Sequence, residues 1–208
     1  MSIFRSQTAA MDPYRLAFWG NLSYFNNIRA ISWFYNNVFS ELYRQDHRYR
    51  FIIAGSYPTQ DLRRLTQNPG VELREEPPDL ADCLKDCSIA VFPFTFSTGI
   101  KNKVLESAAM GKYSIVSQCI YADFPKGEAP PLEVCRTAPQ WKESIQALAA
   151  STGKISQQRE LSSRWVSTFH DWDRTCLRML EFAQESLSLT DSEGATVPLP
   201  TPRTQTGD

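Results

Sequence analysis

Short apolar runs that alternate with helix-periodic segments constrain this chain more than any other feature. "RLAFWG" (Arg15 to Gly20) is the first run, followed by "YRFIIAGSYP", "GVELRE", "SIAVFPF" and "KYSIVS". Between the first two runs, Ile28, Ile31, Phe34, Tyr35, Val38, Phe39 and Leu42 recur at three- and four-residue steps. That spacing predicts one amphipathic helix whose aromatic stripe faces a core. "TQDLRRLTQ" and "DLADCLKDC" read as short helices, and "GIKNKVLESAAMG" as a helix ended by Gly111. Strands alternating with helices imply parallel βαβ units and a doubly wound, Rossmann-like α/β sheet. "LEVCR" is a candidate sixth strand, and "APQWKESIQALAAS" and Ile155 to Ser188 are helical in pattern. No internal repeat is visible.

The ends read differently. Residues 1–13 form a lead-in, residues 14–188 the domain, and residues 189–208 a disordered tail, rich in Pro, Thr and Gly and poor in large apolar residues. No apolar run is long enough to span a membrane, and "MSIFRSQTAAMDPYR" has no signal-peptide core. A cytoplasmic protein is expected. The formal net charge of -1 gives no global attraction to nucleic acid or an anionic membrane, so any anion site must be local. The five cysteines are scattered. Cys83 and Cys87 stand four apart in a helix-like segment, which would put them on one face. No further cysteine pair or histidine has zinc-site spacing, so free thiols in a reducing compartment, with no metal, are the better reading.

One loop carries the chemistry. "FTFSTG" lies at the carboxyl end of "SIAVFPF" and leads into a helix. Ligands of open parallel sheets bind at such strand ends, and helix starts offer unpaired N–H groups to anions. Ser97 or Thr98 can cap the helix, and Gly99 permits close approach to the backbone. Lys101 and Lys103 oppose the helix dipole there, which makes sense beside a phosphate. Lys103 and Glu106 are three apart and share a face. They suit a diphosphate and a ribose, or else they form an ordinary surface ion pair. His170, Asp171 and Asp173 lack a nearby nucleophile and read as a packed helix junction. His47 and the basic residues from Arg44 to Arg50 read as a helix end and a solvated face.

"GIKNKVLESAAMGKYSIVS" resembles the "GIxNKVLEAMAMGxPVV" segment of group 1 (family 4-like) glycosyltransferases of the GT-B fold. "FWGNLSYFNNIRAISWF" is similar to that family's opening strand and helix, and "FIIAGSYPTQDLRRL" to its second unit. "PGVELREEPPDLADCLKDCSIAVFPF" and "SSRWVSTFHDWDRTCLRML" extend the likeness over about Arg15 to Phe182. The resemblance implies the C-terminal, nucleotide-sugar-binding half of a two-domain enzyme. It implies a nucleotide sugar as substrate, no metal or other cofactor, and a separate N-terminal chain or domain for the acceptor.

By that likeness Lys103 meets the diphosphate, Glu106 the ribose and Thr98 the sugar end. Gly20 and Asn21 line the diphosphate, Gly99 and Ile100 offer backbone N–H groups, and Lys101 adds charge. No catalytic residue is assigned. The sequence departs from the pattern at Thr98, Glu75, Tyr113 and Ser114. Two rival readings stay open: a truncated or degenerate module that binds no donor and serves interaction, and a generic nucleotide-binding module.

Overall fold

The computed structural model describes residues 12–96, 102–124 and 130–169. Its strands are β1 (Asp12–Trp19), β2 (Arg50–Gly55), β3 (Val71–Glu75), β4 (Cys87–Phe92), β5 (Tyr113–Ser117) and β6 (Glu133–Cys135). All pairings are parallel, in the order β3-β2-β1-β4-β5-β6. This is the expected Rossmann-like sheet, and the sixth strand is present. β1 starts at Asp12, three residues ahead of the apolar run at Arg15, because Asp12 pairs with Cys87 across the sheet.

Every residue of β4 is buried, as a central parallel strand covered on both faces requires. On one face, α1 (Phe25–Phe34) carries Phe34 against Phe51 at 5.0 Å and against Trp141 at 5.8 Å between ring centroids. Trp141 comes from α7 (Ala138–Ala149). Thr137 and Gln140 start that helix with a reciprocal capping box.

The long helix expected from Ile28 to Leu42 is continuous but not uniform. A π turn over Tyr35–Phe39 separates α1 from α2 (Ser40–Gln45). The wider turn keeps Phe34, Val38, Phe39 and Leu42 all buried, and Asn37 Nδ2 donates to the Trp33 carbonyl at 2.8 Å.

The remaining helices are α3 (Gln60–Leu65), α4 (Leu80–Cys83), α5 (Asn102–Ala109), α6 (Gln118–Tyr121) and α8 (Thr152–Phe169). α4 is shorter than expected: Cys83 ends the helix and Cys87 opens β4, so the two cysteines do not share a helical face. The chain turns between them so that Cys87 can pair into the sheet. Cys83, Cys87, Cys119 and Cys135 are all free thiols. Cys176, His170, Asp171, Asp173 and the proposed tail lie outside the described residues. Among the described residues no helix is long and apolar enough to cross a membrane.

Two close approaches hold the framework. At Gly55 (φ +150°), a Cβ would lie 1.8 Å from the Gly20 carbonyl oxygen, so only glycine lets the ends of β1 and β2 meet. At the amino ends of β4 and β5, Lys112 is 2 % exposed, and its ammonium donates to the carbonyls of Leu84 at 2.6 Å and Cys87 at 2.8 Å. That side chain pins the end of α4 and the start of β4 to the entry of β5. Burial lowers its pKa from 10.5 to about 8.

Gly55→Ala is expected to cost about 3 kcal/mol or more, read by chemical denaturation, since both the clash and the positive φ must be relieved. The depressed Lys112 pKa means that the unfolded chain holds this proton more tightly than the native state. Its cost is fully present below the folded value of about 8 and is relieved as pH rises towards the unfolded value of 10.5. Relative to Lys112→Met, the wild type should therefore gain about 2 kcal/mol between about pH 8 and 10. Urea titrations of both proteins across that range check it.

Candidate functional site

The strand order reverses between β1 and β4, because the chain winds from β1 to β2 and β3 on one side and from β4 to β5 and β6 on the other. Such a reversal leaves a crevice at the carboxyl ends of the two central strands. Trp19, Gly20 and Asn21 stand at the end of β1, Phe94 follows β4, and α5 supplies Lys103 and Glu106.

Gly20 has φ +140°. A Cβ there would lie 2.7 Å from Lys103 Cε and 3.1 Å from Nζ, so the absence of a side chain makes room for the lysine. Lys103 Nζ sits 5.8 Å from the centroid of the Phe94 ring. Burial lowers the Lys103 pKa, and the charge of Glu106 opposes that shift. No carboxylate among the described residues lies within ion-pair distance of Lys103. The simple surface ion pair between Lys103 and Glu106 is thus absent, because each side chain is held elsewhere. Glu106 Oε2 accepts a 2.7 Å hydrogen bond from the indole Nε1 of Trp19.

Asn21 is exposed, and its side chain is engaged locally. Its Oδ1 accepts from the Ser23 N–H at 2.9 Å and from the Ser23 hydroxyl at 2.7 Å. The Asn21 carbonyl accepts from Asn27 Nδ2 at 2.7 Å, and Asn27 is 2 % exposed. This braces the turn between β1 and α1. The crevice therefore gathers Gly20, Asn21, Lys103 and Glu106. Thr98, Gly99, Ile100 and Lys101 lie outside the described residues.

Trp19, Asn27 and Phe94 are parts of the site that sequence reasoning did not single out. The aromatic immediately before Gly20 in "FWG" was the available signal for Trp19, but it also reads as core. The departures at Glu75, Tyr113 and Ser114 have structural partners. Glu75 pairs with Arg63, the Tyr113 hydroxyl donates to Glu133 at 3.0 Å, and the Ser114 and Ser107 hydroxyls lie 2.7 Å apart in the core.

A partly buried ammonium beside a glycine turn, without an ion-pair partner among the described residues and with a carboxylate one helical turn along, can hold an anionic group and a pair of hydroxyls side by side. A carboxylate so placed raises the lysine's affinity for its proton. Glu106→Gln is therefore expected to push the Lys103 titration further below the ordinary lysine range, read from the 13Cε signals of labelled lysine by NMR.

Residues 13–151 match the family described as Glycosyl transferases group 1. No curated protein matches the sequence. Among solved structures, a mutant of S. aureus TarM in complex with fondaparinux, alpha-GlcNAc-glycerol and UDP is similar with TM-score 0.69 at 12% identity, over 87% of this chain and 37% of that one. Anabaena HepE in complex with UDP and glucose gives 0.64 at 12% identity, over 84% and 49%. The pneumococcal O-GlcNAc transferase GtfA in complex with UDP and GlcNAc gives 0.59 at 17% identity, over 86% and 38%. These likenesses carry the fold. The chain spans half the length of these proteins or less.

Proposed function

Because the chain belongs to the group 1 glycosyl transferases, we propose that its crevice is the donor-binding half of a glycosyltransferase. It takes a sugar from a nucleoside diphosphate sugar and passes it to an acceptor held by a separate chain or domain. The observation that carries this reading is the Lys103 ammonium. It is partly buried, lies against the glycine turn of Gly20, and has no carboxylate in ion-pair distance among the described residues. A cation withdrawn from water without a counter-ion is costly, and a diphosphate removes that cost.

Lys103 holds the diphosphate, with Gly20 and Asn21 lining it and Glu106 accepting from the ribose hydroxyls. Gly99 and Ile100 offer their N–H groups to the phosphates, Lys101 adds positive charge, and Thr98 stands towards the sugar. Charge builds on the departing nucleoside diphosphate as the glycosidic bond breaks. Lys103 and the backbone N–H groups stabilise that charge, so no metal is needed for the leaving group. The nucleotide sugar is the substrate, no cofactor takes part, and the protein works in the cytoplasm, where free thiols persist.

The departures from the family pattern at Glu75, Tyr113 and Ser114 favour a second reading, a non-catalytic interaction module that binds no donor.

Calorimetry with UDP- and GDP-sugars tests the first reading. Wild type is expected to bind one of them, and Lys103→Ala to lose about tenfold or more in affinity, the loss of a charge-assisted contact. Equal binding by both proteins, or none by either, counts against it. Sugar transfer only in the presence of a co-purifying acceptor-binding chain counts against the second.

A further inference from the structure

We propose that Trp19 is the positioning residue for Glu106, holding its carboxylate towards the ribose and so setting a preference for ribonucleotides over deoxyribonucleotides. The inference rests on the donor-site reading above, in which Glu106 meets the ribose. Trp19 is 1 % exposed, and its ring meets Phe92 edge-to-face at 5.0 Å between centroids. Its backbone is fixed in register opposite Ala54 of β2. The indole therefore has little freedom, and its N–H is aimed at Glu106 Oε2 at 2.7 Å.

An indole nitrogen donates and cannot accept. It can anchor a carboxylate oxygen, but it cannot exchange roles with a ligand hydroxyl. With Oε2 anchored, Oε1 accepts no hydrogen bond from any described residue and is left for the ligand. Neighbouring ribose hydroxyls can then donate to a carboxylate already in place, with less side-chain entropy to lose.

The anchor has a second consequence. Lys103 lies three residues before Glu106 on the same helix, a spacing that normally allows an ion pair. Trp19 holds the carboxylate out of that pair, and Lys103 turns to Gly20 and Phe94 instead. The cation for the diphosphate and the carboxylate for the ribose stay available as separate groups.

The experiment is calorimetry with UDP, GDP and their 2′-deoxy and 3′-deoxy counterparts on wild type, Trp19→Phe and Glu106→Gln. Phenylalanine keeps a ring against Phe92 and removes the N–H donor along with part of the indole's volume. Wild type is expected to prefer the ribose form of the base it binds by about tenfold. Trp19→Phe should reduce that preference to about threefold or less, as loss of one hydrogen bond to a charged group would. A packing role alone would weaken ribose and deoxyribose forms equally. A wild-type preference retained in Trp19→Phe overturns the inference and leaves the donor reading standing. No nucleotide binding by wild type overturns both.

Should Trp19→Phe fail to fold, the indole N–H signals of 15N-tryptophan-labelled wild type and Glu106→Gln give the answer. One indole signal should move in the variant and also on adding the ribonucleotide. If none moves, the anchor is not present.

Discussion

The parallel pairing of β1 with β4 is the constraint on which the rest of this molecule depends. Leu16 and Ala17 lie opposite Ile89 and Ala90, and both strands bury apolar residues on each face. Parallel strands need crossovers, and two crossover series leave this pair in opposite directions. The strand ends therefore splay a crevice open at Trp19, Gly20 and Phe94. No single loop builds that crevice. It follows from sheet order, and α5 is carried to it because it connects β4 to β5.

The helix α5 and the turn that follows it place two withdrawn lysines in opposite situations. Lys112 spends its ammonium on two carbonyls and acts as a clamp between α4, β4 and β5. Lys103 is drawn from water too, yet it meets a glycine turn and an aromatic ring and no carboxylate in ion-pair distance among the described residues. Burial lowers the pKa of both. The difference is in the partner groups: Lys112 is satisfied by two carbonyls, and Lys103 has no such acceptor among the described residues. Glu106 is kept from cancelling Lys103 by the indole of Trp19.

Much of this was legible in the sequence. Apolar runs and three-four spacing mark the strands and most helices, since backbone period and burial leave direct traces in residue order. The helical pattern around Lys103 and Glu106 marks α5. Other features left no such trace. The π turn at Tyr35–Phe39 preserves the same apolar stripe that a plain helix would show. The break between Cys83 and Cys87 is decided by strand pairing, not by local pattern. Glu75, Tyr113 and Ser114 looked like departures, and each has found a partner in the fold.

By itself, the sequence determined the alternation of strand and helix, and hence a parallel sheet with a crevice at the strand ends. It also placed a lysine and a glutamate three apart on the helix bordering that crevice. Only the tertiary structure decided that these two do not pair with each other. Trp19 lies 87 positions before Glu106, and no local pattern can announce a hydrogen bond between them. That contact exists because sheet order sets the end of β1 against α5. The sequence supplies the charges, but long-range packing decides which partners they meet.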